Sequence, residues 1–247
     1  MTQVGRVSEL TRYPVKSMAG ISTESAVLGW HGIVGDRRFA LRRIDEFGGF
    51  PWLSASSLPE LLLYRPCGLD ERASEPLPTH VLTPSGSKVG IRSDELRAEI
   101  AERLGRSVEM MWFRNGLFDD GAISVISLTT IAGIGREAGL ELDRRRFRAN
   151  IVVESEGSAP FHEDEWVGRT LVFGEVDSGP AVSVTQRDLR CRMIDFDPDT
   201  AAADGRVMKA AVRLNENCAG VYAAVVRRGT LRVGDRVSVL PNSTRKD

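Results

Sequence analysis

Residues 220–240, GVYAAVVRRGTLRVGDRVSVL, alternate apolar with polar or small positions, turn at Gly229 and turn again at Gly234-Asp235. A period of two belongs to a strand with one face on a core and the other in water, and it does not suit a helix. The same pattern recurs along the chain. Residues 7–13, 38–44, 80–83, 108–113, 123–128, 150–153, 170–176, 182–186, 220–227 and 235–240 are β-rich and punctuated by Gly, Pro, Asp and Asn. Two segments read as helices. SDELRAEIAERL at 93–104 has a Ser N-cap, acids in its first turn, Leu96, Ile100 and Leu104 at four-residue spacing, and Gly105 as a stop. Residues 129–138 carry Ile131 and Ile134 but are weakened by Gly133 and Gly135. Many strands with few helices predict a mainly β chain of α+β class, built as barrels or sandwiches rather than a doubly wound parallel sheet. The stretch 67–84, rich in Pro, Ser and charge, reads as a long surface loop. A boundary at 116–120 is expected to divide 1–116 from 117–247 as two β-rich halves.

Charge excludes one class of partner. The 33 basic and 34 acidic residues leave a net charge of −1, so a broadly basic nucleic-acid binder is not expected. With 6% aromatic residues there is also little for base stacking. No run approaches the roughly 20 apolar residues of a spanning helix, and the first residues lack the apolar core of a signal peptide. A soluble, cytoplasmic bacterial protein with no membrane partner is the expectation. Cys67, Cys191 and Cys218 make no disulfide framework and no C-x-x-C pair, which points to a reducing compartment and free thiols. Apart from Lys16, Lys88, Lys209 and Lys246 every basic residue is arginine, a bias that a GC-rich genome explains. No single arginine signifies by itself.

The common cofactor and hydrolase motifs are absent. GIGREAG at 133–139 has the wrong spacing for a dinucleotide loop, PSGSKVG at 84–90 is not a P-loop, and no G-x-S-x-G occurs. His162-Glu163-Asp164-Glu165 has no second histidine nearby and reads as a solvated acidic turn before a strand, with Trp166 as its buried anchor. His31 and His80 are isolated. The run Arg144-Arg145-Arg146 is either a small-anion site or a loop salted by Asp143 and Glu141.

Several short stretches occur together in one order: YPVKS at 13–17, GDRRF at 35–39, ISLTT at 126–130, RFRANIVV at 146–153, EDEW at 163–166, LRC at 189–191, DPDT at 197–200, GVY at 220–222 and LRVGD at 231–235. This series resembles the MOSC family, in which an N-terminal β-barrel domain precedes a MOSC domain, and within it the bacterial N-hydroxy-compound reductases and the mitochondrial amidoxime-reducing component. The resemblance covers about residues 7–240. It implies two intertwined β-barrel-like units holding a molybdenum–molybdopterin cofactor, with Cys191 as metal ligand. Molybdenum in such sites takes sulfur donors as thiolate, and Arg190 and Arg192 flank this cysteine with charge that favours one. Taken alone, Cys191 reads rather as an inert buried thiol at a strand end. Cys67 and Cys218 fall in no motif of the series.

The cofactor's phosphate needs cations and donors that survive burial. By resemblance Lys16, Ser17, Arg37, Arg148 and Asn150 contact the cofactor, with Thr129 or Thr130 at a helix start and Arg190 beside the ligand. Arg37 is preferred to Arg38. Tyr222 reads either as pocket lining or as a core aromatic. Two departures stand out. Asp188 occupies a position where relatives often have cysteine, putting a carboxylate near the metal to repel an anionic substrate or to relay a proton. The region from Gly205 is shorter than in relatives. The resemblance implies reduction of a small N-hydroxylated substrate by oxygen-atom transfer. Without a cysteine cluster no iron–sulfur domain is expected, so a separate electron-donor protein is. The alternatives are a non-catalytic molybdenum-pterin or sulfur carrier, and a cofactor-free barrel binding a small anion through Lys16, Arg37 and Arg148.

Overall fold

A computed structural model describes residues 1–155 and 159–241. The alternating pattern emerges as strands β1 (Thr2–Arg12), β2 (Ile21–Thr23), β3 (Ser25–Gly29), β4 (Gly32–Ile33), β5 (Phe39–Arg43), β6 (Arg65–Cys67), β7 (His80–Leu82) and β8 (Lys88–Gly90). They continue as β9 (Val108–Trp112), β10 (Ile123–Ser127), β11 (Ile151–Ser155), β12 (Thr170–Phe173), β13 (Ala181–Leu189), β14 (Cys218–Arg227), β15 (Gly229–Arg232) and β16 (Arg236–Val239). The helices are α1 (Asp94–Leu104), α2 (Leu128–Ala138) and α3 (Arg206–Asn215). The chain is mainly β with a few helices.

Seven strands, in the order β11-β10-β14-β13-β12-β16-β1, close into a barrel because β1 pairs with β11 as well as with β16. β1 is long enough to serve both neighbours, with Thr2 to Arg6 beside β16 and Gly5 to Leu10 beside β11. Gly5 sits at the changeover, where a Cβ would run into the Glu154 carbonyl. Val7, Leu10, Val125, Ile151, Val153, Val184, Val221 and Val237 fill the interior. Their β-branched and aliphatic side chains suit a pleated, buried face. β10 and β11 run parallel, and α2 is the crossover that such a pair requires. α2 and α3 cover the barrel's outside through Ile134, Val207, Ala210 and Ala211.

A second core gathers Val15, Met18, Phe39, Leu41, Leu61, Tyr64, Leu96 and Ile100 from the N-terminal half, against the β5–β9 pair, the sheet β6-β7-β8 and α1. Strands from the two sides of 116–120 share sheets: β1 closes the barrel, and β15 pairs with β3. No helix among the described residues is long and apolar enough to cross a membrane.

Several local expectations need correction. Gly229 does turn the chain, but β14 and β15 do not pair; β13 and β10 already occupy both edges of β14, so β15 leaves the barrel for β3. Residues 67–84 are a loop with strands at both ends, because Cys67 pairs with His80 in the sheet β6-β7-β8. α2 survives its glycines since Gly133 lets Pro160 approach and Gly135 lets Leu140 do so; a Cβ would meet these at 2.8 and 2.7 Å. α3 was not expected from the sequence; it buries Val207, Ala210 and Ala211, spaced i, i+3, i+4.

Candidate functional site

At one end of the barrel a cavity of about 330 Å³ opens where β10, the end of β13 and β14 meet the turns that follow β1 and precede β5. Lys16, Ser17, Arg37, Arg148, Arg190 and Cys191 all line it, so six of the nine residues singled out by sequence come together. Ser17, Arg37 and Arg148 hold left-handed φ values of 66°, 50° and 51°. Non-glycine residues adopt that region at a cost and cluster in it where surroundings enforce a geometry.

Asp36 does much of the enforcing. It is buried and accepts from the Tyr13 amide at 2.5 Å, from Arg37 at 2.9 Å and from the Asn150 side chain at 3.2 Å. Arg37 thereby faces the cavity, while Arg38 turns to Glu75 at 2.6 Å. Both Arg37 and Arg148 lie over the Tyr13 ring, their guanidinium carbons 5.2 and 4.3 Å from its centre. Arg148 also donates to the Met18 carbonyl at 2.7 Å. Burial, with Arg37 alongside, holds the Arg148 guanidinium down to about 10. Lys16 is buried, donates to Asp119 at 2.5 Å and lies over the Phe50 ring. Desolvation lowers its pKa against the opposing pull of Asp119.

Cys191 ends the irregular stretch after β13 and caps the 3₁₀ turn Arg192–Asp195. It is the exposed cysteine of the three; Cys67 is partly covered, and Cys218 is buried, which pushes its thiol up. Arg190 is buried with its donors turned inward, to Ala219 O at 2.7 Å, to Phe147 O at 2.6 Å and to Asp188 at 2.8 Å. Gly220 makes room for it: a Cβ there would meet the Val125 carbonyl at 2.6 Å and Arg190 at 3.2 Å. Asp188 is buried and also accepts from the Ser124 hydroxyl at 2.8 Å. Burial raises its carboxyl pKa, and Arg190 limits the rise. Tyr222 lines the cavity, its phenol pushed up by burial and by Asp188.

Three expected contacts lie elsewhere. Thr129 and Thr130 do not line the cavity. Their hydroxyls engage Ser127 at the start of α2 and the Ala159–Phe161 segment, so the helix cap uses them. Asn150 is fully buried, accepting from Ser124 N and donating to Thr11 O and Asp36, which leaves it a brace behind the wall. Sequence reasoning in turn missed Asp119, Ser124 and Phe50. Asp119 stands in the FDDG stretch read only as a boundary, and the other two carry no sequence signal.

The remaining candidates resolve as structure. Glu163 is not solvated: it is fully buried and accepts from the amide and hydroxyl of Ser127, capping α2, while Trp166 is buried as expected. Arg144 pairs with Glu9, Arg145 with Asp143 and Asp199, and Arg146 with Asp197, so the run is a salted loop with partners beyond those nearest in sequence, and Arg146 alone of the three also lines the cavity. A larger groove of about 1050 Å³ adjoins at Arg148, but it contains none of Lys16, Ser17, Arg37 or Cys191. Convergent polar groups, rather than volume, mark the smaller cavity as the site. Among the described residues no cluster of His, Cys, Asp and Glu could hold a metal by itself.

Comparison with known proteins agrees along most of the chain. A family model for the MOSC domain matches residues 115–238, and one for the MOSC N-terminal beta barrel domain matches residues 4–73. Mitochondrial amidoxime reducing component 2 of Bos taurus is 26% identical over 96% of this chain and 84% of its own length. The protein of the same name from Rattus norvegicus is 24% identical over the same shares. The crystal structure of the YUAD protein from Bacillus subtilis superposes with a TM-score of 0.51 at 17% identity, covering 96% of this chain and 95% of that one, a likeness of fold.

Proposed function

The chain belongs to the MOSC family, and from that premise we propose that it is a molybdenum-cofactor-dependent oxidoreductase that reduces N-hydroxylated compounds with electrons from a separate redox protein. The names of its mitochondrial relatives support an amidoxime-type substrate. One observation carries the reading: the exposed cysteine shares a cavity with a cluster of cations, two of which, Arg37 and Arg148, are held at left-handed backbone positions. The donor set fits a pterin-bound metal. A single protein sulfur satisfies a metal only if the group that carries it brings most of the remaining donors.

In this reading Cys191 supplies the sulfur ligand, and Arg148, Lys16, Ser17 and Arg37 hold the phosphate and pterin. Arg148 is the best anion anchor, since a bound phosphate would supply the counter-charge that it lacks. Arg190 fixes the Cys191 segment to Phe147 and Ala219 from the cavity wall. When bound, the cofactor supplies two-electron oxygen-atom chemistry. The N–O bond breaks, the nitrogen compound leaves reduced, and the oxygen departs as water with two electrons and two protons supplied. Tyr222 holds its proton at the wall beside the Asp188 carboxylate that pairs with Arg190, and Phe50 and Leu189 cover the edge. A separate redox protein, working in the cytoplasm, completes the proposal.

Metal analysis of the wild type beside Cys191→Ala, with turnover of a hydroxamic acid under a supplied reductant, tests it. Stoichiometric molybdenum and turnover in the wild type, with both lost in a folded variant, are expected. Equal metal in both proteins sinks the ligand assignment, and metal without turnover leaves a carrier.

A further inference from the structure

Among the described residues five cations line the cavity, and four already hold a carboxylate: Lys16 with Asp119 at 2.5 Å, Arg37 with Asp36 at 2.9 Å, Arg146 with Asp197 at 3.1 Å and Arg190 with Asp188 at 2.8 Å. Arg148 is the exception, touching a neutral carbonyl and an aromatic ring. Asp120 is the converse, an exposed carboxylate in the lining that pairs with no cation among the described residues. Once Arg148 is engaged by the cofactor's phosphate, an entering molecule meets no cation without its own counter-charge. It does meet one carboxylate without a cation.

We propose that the cavity selects by charge, admitting neutral or cationic N-hydroxylated molecules and excluding small oxyanions, with Asp188 and Asp120 as the specificity-determining residues. The proposal rests on the cofactor reading above. Asp188 matters most because Arg190 has no other counter-charge among the described residues: its remaining contacts are the neutral carbonyls of Ala219 and Phe147 and the Phe147 ring. A guanidinium stays protonated, so removing the carboxylate would leave a buried charge at the cavity wall that only a bound anion could neutralise. The edge of the cavity points the same way. Phe50 is 52% exposed and Leu189 62% exposed, which suits the apolar body of an organic substrate better than a hydrated ion.

Nitrate is the probe, titrated calorimetrically at low ionic strength into the purified protein, into Asp188→Asn and into Asp120→Asn. The wild type is expected to bind it most weakly, Asp120→Asn more tightly, and Asp188→Asn about tenfold more tightly, as for removal of one unit charge near the site. The ratio of kcat/KM for hydroxylamine over nitrite, under a supplied one-electron reductant, should fall in both variants. Equal nitrate affinity in all three proteins overturns the proposal. The nitrate titration needs no turnover, so its outcome is separate from the failure of the oxidoreductase reading, which shows as a wild type without molybdenum. Should Asp188→Asn not fold, Asp120→Asn decides: tighter nitrate supports selection by charge, and unchanged nitrate overturns it.

Discussion

The barrel interior and the cavity at its end are made from the same strands by opposite rules. Inside, β10, β13 and β14 present Val125, Val184 and Val221, aliphatic and in regular alternation. At the cavity the same three strands present Ser124, Asp188 and Tyr222, polar groups that depend on named partners. Around them the chain leaves ordinary backbone at Ser17, Arg37 and Arg148. The barrel is therefore held by area removed from water, and the wall by charges that tolerate burial only in pairs. Mutations should separate the two.

The largest loss is expected on the wall. Asp36→Ala strips the partner from Arg37, the Tyr13 amide and the Asn150 amide together, and should cost about 3–5 kcal/mol by denaturant unfolding. A cost no greater than that of an exposed substitution would mean that paired charge does not hold the wall. Val125→Ala attacks the other side of the comparison. It removes two methyl groups from the barrel interior and should cost about 2–4 kcal/mol, somewhat less than Asp36→Ala, with molybdenum content unchanged. Loss of metal without loss of stability in Val125→Ala would make barrel packing, rather than charge pairing, the determinant of the site.

A third test sharpens the role of charge at the wall. Burial raises the Asp188 carboxyl above the usual range, so on acidification it takes a proton earlier than an ordinary aspartate. Arg190 stays charged throughout and loses its counter-charge at that point, while Arg37 and Tyr222, which also face Asp188, keep their charge states on that side of neutrality. Nitrate affinity of the wild type should therefore rise as pH falls from neutrality, up to the level of Asp188→Asn, about tenfold. The variant, which keeps Asp120 but has no carboxylate at 188, should show a smaller rise. A parallel rise in both would assign the effect to another group.

These contrasts also explain what was legible in the sequence. Barrel strands announce themselves because alternation is local, and β1, β10, β11 and β14 fall on expected stretches. Closure is not local: that β1 pairs with both β11 and β16 follows from Gly5, whose need for a missing Cβ shows only against Glu154. The cavity was legible through family motifs that bring Lys16, Arg37 and Cys191 together. Asn150 and Thr130 stand in the same motifs but are used as braces, because a motif marks a shared location and not which side of the wall a side chain takes. Asp119 was invisible, since its partner Lys16 lies 103 residues away.

The smallest effect belongs to a pair of the same chemistry placed in water. Arg145 bonds Asp199 across the surface, and that hydrogen bond, against a small burial penalty, holds the Asp199 carboxyl below the ordinary range. A depressed pKa contributes stability that is fully present above the unfolded value, near pH 4, and is lost as pH falls through the folded one. Asp199 is half exposed, so screening limits the gain, and Asp199→Ala should cost less than about 1 kcal/mol, less still at high salt. Unfolding at neutral and acid pH, with and without added salt, reads this directly. A salt-independent cost as large as that of Asp36→Ala would show that burial is not what distinguishes the cavity's ion pairs from those on the surface.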